Sequence, residues 1–119
     1  METQQIKAER IFQHHLEALR NNDLGELMKD YTEQSEVWTP DGEIVGLDAI
    51  AAFFSYAFTL LPKGSTTLEI KKLTAKEDKV FIIWTADSPL VAVPFATDCF
   101  EIRRGMIVWQ STAFVMEQK

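Results

Sequence analysis

Cysteine, positive charge and long apolar runs are all scarce in this sequence. Cysteine occurs once in 119 residues, at Cys99. A lone cysteine forms no internal disulfide, so a reducing compartment is expected, namely the cytoplasm. It stands in a strand-like run with no histidine or second cysteine at metal spacing, and it reads as a small packing residue, not a nucleophile. No stretch reaches the ~18 apolar residues of a membrane span. The opening Met1-Glu2-Thr3-Gln4-Gln5 lacks the basic and apolar regions of a signal peptide. Twelve Lys and Arg stand against eighteen Asp and Glu, a net charge of −6, which argues against nucleic acid as a partner because phosphates call for a basic stripe. The one lysine cluster, Lys71, Lys72, Lys76 and Lys79, is interrupted by Glu69, Glu77 and Asp78 and reads as a solvated sheet edge with a hairpin turn. There is no Gly-rich phosphate loop and no nucleophile triad. The adjacent His14 and His15 would point ~100° apart on a helix and do not chelate as an i, i+4 pair does. No cofactor and no metal are therefore expected.

What is present suffices for one core. Apolar residues make up 46% of the chain, with eight Phe, three Trp and two Tyr, and the length suits a single domain over residues 1–119. Ala8, Ile11, Phe12, Leu16 and Leu19 recur at helical spacing and predict a helix from Thr3 to Asn21, with His15 near the centre of the stripe and His14 at its edge. Asp23 can cap a second short helix, Leu24 to Tyr31. Ser35 to Thr39 reads as a strand, closed by Pro40-Asp41-Gly42 and followed by a brief Glu43-Ile44-Val45. A third helix starts near Asp48 and ends at Pro62-Lys63-Gly64. It is apolar over more than one stripe, so it should be well covered. From Ser65 the period turns strand-like: Thr66–Leu73, Val80–Ala86, Val91–Arg103 and Met106–Met116 form a meander. Helices segregated from a run of strands indicate an α+β fold.

Strand alternation places Asp98 with Ala96, Phe100 and Ile102 on an apolar face. A charged carboxylate there costs several kcal/mol, of order, unless it is paired, hydrogen-bonded or protonated. Two readings are open: a pocket acid that meets a ligand, or a structural acid bonded to His15, a tryptophan N–H or a strand amide. His15 is likewise either a satisfied core histidine or a site residue. A contact with Asp98 would favour imidazolium while burial would oppose it. Thr39, Trp84, Phe100, Gln110, Thr112 and Phe114 are candidate lining residues, and Trp38 is expected on the outer face. The last two strands are apolar on both faces. One face can line a cavity, and a second copy of the chain is the simplest cover for the other, which predicts a homodimer.

Several strings carry a resemblance along the whole chain. Asn22-Asp23-Leu24 follows the first helix, then come Trp38-Thr39-Pro40-Asp41-Gly42, Gly46-Leu47-Asp48-Ala49-Ile50, Thr97-Asp98-Cys99-Phe100-Glu101-Ile102 and Arg104-Gly105-Met106-Ile107. In this order they resemble the SnoaL-like branch of the nuclear-transport-factor-2-like superfamily, which includes ketosteroid isomerases and polyketide cyclases. The resemblance implies a cone-shaped half barrel, a curved antiparallel sheet wrapped around three N-terminal helices, with an apolar pocket at one end. The isomerases of that superfamily place a tyrosine, an aspartate base and a second acid in the pocket, and the protonated acid is a known example of a carboxyl kept neutral by an apolar site. By local motif these positions fall on His15, Thr39 and Asp98, so only the acid is kept. Thr39 cannot take a proton from carbon at neutral pH, which argues against steroid isomerisation by that mechanism here. The expected partner is a small apolar or aromatic molecule bearing an oxygen. It would be either transformed by acid–base chemistry at Asp98 and His15 (isomerisation, cyclisation or hydration) or merely bound by a non-catalytic dimeric module.

Overall fold

The computed structural model describes residues 3–119. The chain runs α1 (Gln4–Arg20), α2 (Leu24–Met28), β1 (Tyr31–Thr39), β2 (Gly42–Val45), α3 (Leu47–Leu60), β3 (Thr67–Lys76), β4 (Lys79–Asp87), β5 (Val91–Arg103) and β6 (Met106–Gln118). One six-stranded sheet has the order β2-β1-β6-β5-β4-β3. Every neighbouring pair is antiparallel except β1 and β6, which run parallel. The expected α+β half barrel is thus the observed architecture.

The ends of α1 follow from its flanking residues. Thr3 caps it by accepting from the Ile6 N–H at 3.1 Å. At the other end Asn22 takes a left-handed φ of 50°, and the N–H groups of Asn22 and Asp23 close on the carbonyls of Leu19 and Ala18, a Schellman ending with Asn in place of Gly. The Asn22 side chain accepts from the Lys63 N–H at 2.7 Å and donates to the Leu61 carbonyl, which ties the end of α1 to the end of α3. Ala8, Phe12, His15, Leu16 and Ala18 are the buried face of α1.

Two expectations need correction. The second helix does not reach Tyr31. It stops at Met28, because the Asp30 carbonyl accepts the Ile107 N–H at 2.7 Å and Tyr31 pairs with Ile107 as the first residue of β1. Residues 32–35 then bulge out of the ladder around Ser35, whose hydroxyl accepts the Thr32 N–H and donates to the Ile107 carbonyl. Nor is α3 well covered. Only Ile50 and Phe54 are buried on it, and Tyr56 is 65% exposed.

The lysine-rich β3 is an outer edge of the sheet, as its charges suggest. Curvature comes from bulges. Between Trp84/Ala86 on β4 and Ala96/Val93 on β5, the latter strand carries one extra residue, and it does so again opposite β6. Pro94 lies in that segment, where a missing N–H is tolerated. A further register shift on β3 falls between Ile70 and Lys72. The curl that results gives the sheet a concave face, against which α1 packs.

Candidate functional site

Between α1, α3 and the concave face lies an open cavity of about 510 Å³, a size that suits a small organic molecule. His15, Thr39, Trp84, Asp98, Phe100, Gln110, Thr112 and Phe114 all line it. So do Phe53, Phe54, Tyr56 and Ala57 of α3. The surplus of apolar residues on that helix therefore faces the cavity instead of a covering layer. Thr39 lies at the β1–β2 turn beside Asp41 and Glu43. Its hydroxyl is committed to the turn, donating to the Gly42 carbonyl and accepting from the Asp41 N–H.

Asp98 is placed by cross-strand pairing. It lies opposite Ile82 on β4 and Thr112 on β6, and Trp84 and Gln110 are two residues further along the same faces. Three donors reach it: Trp84 Nε1 at 2.9 Å and Thr112 Oγ1 at 2.8 Å, both to Oδ1, and Gln110 Nε2 at 2.9 Å to Oδ2. Asp98 is 6% exposed. Burial pushes its carboxyl up to about 6, and the bonds from Trp84, Gln110 and Thr112 hold it from rising further.

His15 does not touch Asp98. Two buried side chains stand between them. Tyr31 donates to Gln110 Oε1 at 2.5 Å, and the Tyr31 oxygen is 3.4 Å from His15 Nδ1. With no carboxylate against it, burial decides the charge of His15 and pulls its pKa down to about 3, aided by the neighbouring His14. It is a neutral imidazole packed among the rings of Phe12, Phe54, Tyr31 and Phe100. Burial likewise raises Tyr31 well above the usual tyrosine range, with the Asp98 charge adding to the effect. Tyr31 is the polar residue that sequence reasoning missed. Its register is set by the 32–35 bulge, for which the sequence offers only Ser35 as a signal.

His14, expected at the edge of the apolar stripe, is half-buried beside α2. Its ring bonds Asp30 at 2.7 Å through Nδ1 and Glu26 at 2.9 Å through Nε2. Those two bonds raise its pKa, since in the protonated form both ring nitrogens can donate, one to each carboxylate. Asp30 is itself raised by burial, and His14 pulls it back down. Among the described residues, no group of three or more His, Cys, Asp or Glu side chains is placed to hold a metal. No described helix is long and apolar enough to cross a membrane.

Known proteins share this arrangement of helices and sheet. The SnoaL-like domain family model matches residues 12–110. A search of curated proteins found no match. Among solved structures, Bal32a from a soil-derived mobile gene cassette superposes with a TM-score of 0.79 at 17% identity, covering 94% of this chain and 92% of its own. An epoxide hydrolase of M. tuberculosis gives 0.73 at 18% identity, covering 93% and 84%. A de novo designed protein with a curved β-sheet gives 0.80 at 10% identity, covering 97% and 88%. At such identities the likeness is one of fold alone.

Proposed function

The chain belongs to the SnoaL-like domain family, within the nuclear-transport-factor-2-like superfamily, and we propose that it binds a compact, largely apolar molecule bearing an oxygen and acts on it by acid–base chemistry at Asp98. The observation that carries this reading is a buried carboxyl on the wall of an open cavity, with a pKa brought to about 6. A group so poised can both hold and release a proton near neutrality. Trp84, Gln110 and Thr112 fix its orientation, and Phe100 and Phe114 offer apolar contact. His15, neutral at working pH, orients the ligand and does not carry a full proton. The open cavity supports this reading over a filled, purely structural interior. The specific observation on the other side is that three donors already satisfy Asp98, which favours a binding module without turnover.

The cytoplasm is the proposed compartment, and a homodimer the proposed assembly. Cross-strand partners put Trp38, Ser111, Cys99 and Phe81 on the convex face, with Phe95 beside Val115 further along. Trp38, Phe95 and Val115 are each at least half exposed. Trp38 packs edge-on to Trp109 at 5.5 Å. A second copy would cover this aromatic patch.

The function is tested with a panel of bicyclic alcohols and ketones, followed by the Trp84 indole N–H resonance and by deuterium uptake from D₂O into ligand carbon. Expected are saturable shifts with wild type and, for the enolisable ketones of the panel, uptake that Asp98→Asn abolishes. Binding without uptake favours the module, and no binding at millimolar ligand refutes both.

A further inference from the structure

The polar chain from Asp98 to His15 has a direction, and that direction fixes what His15 shows to the cavity. At neutral pH the Asp98 carboxylate only accepts, so Gln110 must turn its amide N–H to Oδ2. The Gln110 carbonyl then faces Tyr31 and takes the single phenolic proton. Having given that proton away, the Tyr31 oxygen can only accept from His15 Nδ1. A neutral imidazole with its proton on Nδ1 has a bare lone pair on Nε2. That nitrogen has no hydrogen-bond partner among the described residues. Every fully enclosed side-chain nitrogen or oxygen described does have one, so Nε2 is not fully enclosed, and it belongs to a residue that lines the cavity.

We propose that the Asp98–Gln110–Tyr31 relay locks His15 as the Nδ1–H tautomer, so that Nε2 and Asp98 both accept and the cavity selects a ligand with a hydroxyl donor over its carbonyl analogue. This rests on the reading of the cavity as a ligand site, and it narrows the ligand to an alcohol, phenol or enol on an apolar frame. A carbonyl oxygen would set its own lone pairs against both acceptors and leave them unpaired, which costs more than a lost bond. The relay also reverses as a unit. In Asp98→Asn the amide would donate to Gln110, which turns over. Gln110 then donates to Tyr31, Tyr31 donates to His15 Nδ1, and the imidazole proton moves to Nε2.

The test is ¹⁵N NMR of histidine-labelled full-length protein at pH 7.5, combined with binding of 1-tetralol and 1-tetralone. In wild type, His15 Nδ1 should resonate as a protonated pyrrole-type nitrogen and Nε2 as a bare pyridine-type one, and the alcohol should bind about tenfold more tightly than the ketone. Asp98→Asn should exchange the two nitrogen signatures and lose or invert the preference. Tyr31→Phe, which cuts the relay without touching Asp98, should give mixed tautomers and similar affinities. An Nε2–H tautomer in wild type overturns the inference and leaves the binding reading standing. The assigned tautomer with neither tetralin derivative bound at millimolar concentration overturns the binding reading, and the ligand class falls with it.

Discussion

Replacing Asp98 by Asn should stabilise the protein, and by an amount that depends on pH in a defined way. The folded carboxyl titrates at about 6 against an ordinary 3.8. A carboxyl raised that far holds its ionised form about 3 kcal/mol less favourably than its neutral form. Because the folded pKa lies above the unfolded one, the favourable contribution is complete below about pH 4 and is lost as pH rises through 6. At pH 7.5 wild type therefore holds an ionised Asp98 at a cost of roughly 3 kcal/mol relative to the neutral form. Asparagine is neutral throughout. Its carbonyl keeps the bonds from Trp84 and Thr112, and Gln110 can turn to meet its amide. Urea unfolding of both proteins at pH 4, 5, 6 and 7.5, at one fixed protein concentration, reads the difference directly. The variant should match wild type at pH 4 and exceed it by up to ~3 kcal/mol at pH 7.5. His15, depressed to about 3, destabilises both proteins alike as pH falls below its ordinary 6.5, and so cancels from the comparison. A variant weaker than wild type by more than ~2 kcal/mol at pH 7.5 would refute the reasoning, since Asp98 would then be a structural acid that the fold needs. A difference independent of pH would refute it equally.

Three other outcomes are expected. His14→Gln should cost about 1 kcal/mol at pH 5.5, a figure discounted for the 34% exposure of the ring. That loss should shrink in alkaline unfolding curves, because a raised histidine pKa stabilises below 6.5 and ceases to as pH passes the folded value. Phe100→Ala removes a ring that is 1% exposed, against Phe12 and His15, and should lower stability by about 3–5 kcal/mol in the same assay. Sedimentation equilibrium at micromolar concentration should give twice the chain mass, and Trp109→Glu should give the monomer; a wild-type monomer ends the dimer proposal.

Strand alternation made most of the site legible. The i, i+2 pattern puts Asp98 with Phe100, and Gln110 with Thr112 and Phe114, and the antiparallel ladder then sets Asp98 opposite Thr112 as the pattern requires. Those strands are long and are joined by a tight turn at Arg103–Met106, so over Phe95–Glu101 the i, i+2 rule alone is enough to sort their side chains by face. The β1 strand is different. Its pairing with β6 is parallel and interrupted, so Tyr31 meets Ile107 while Glu36 meets Trp109, and Ser35 alone is a faint signal of a four-residue bulge. Tyr31 follows a helical pattern and reads as its continuation. The fate of α3 is hidden for another reason: an apolar helix face looks the same in sequence whether it meets protein or an open cavity. His15 is legible as a residue of the cavity wall but not in its charge, because the spacing that brings Tyr31 and Gln110 between it and Asp98 is tertiary.

That spacing is what turns four polar side chains into one device. A buried polar network is costly unless each member is satisfied, and here each is satisfied only if all donors run the same way, from His15 through Tyr31 and Gln110 to Asp98. The carboxylate sets that sense, since it is the one member that cannot donate while ionised. The far end must answer with the opposite polarity at Nε2, with no charge reaching it. A charged His15 would break the arrangement by making both ring nitrogens donors, and burial among four aromatic rings prevents it. The aromatic packing around α1 thus does more than fill the core. It keeps the imidazole neutral, and only a neutral imidazole can have a tautomer for the relay to choose.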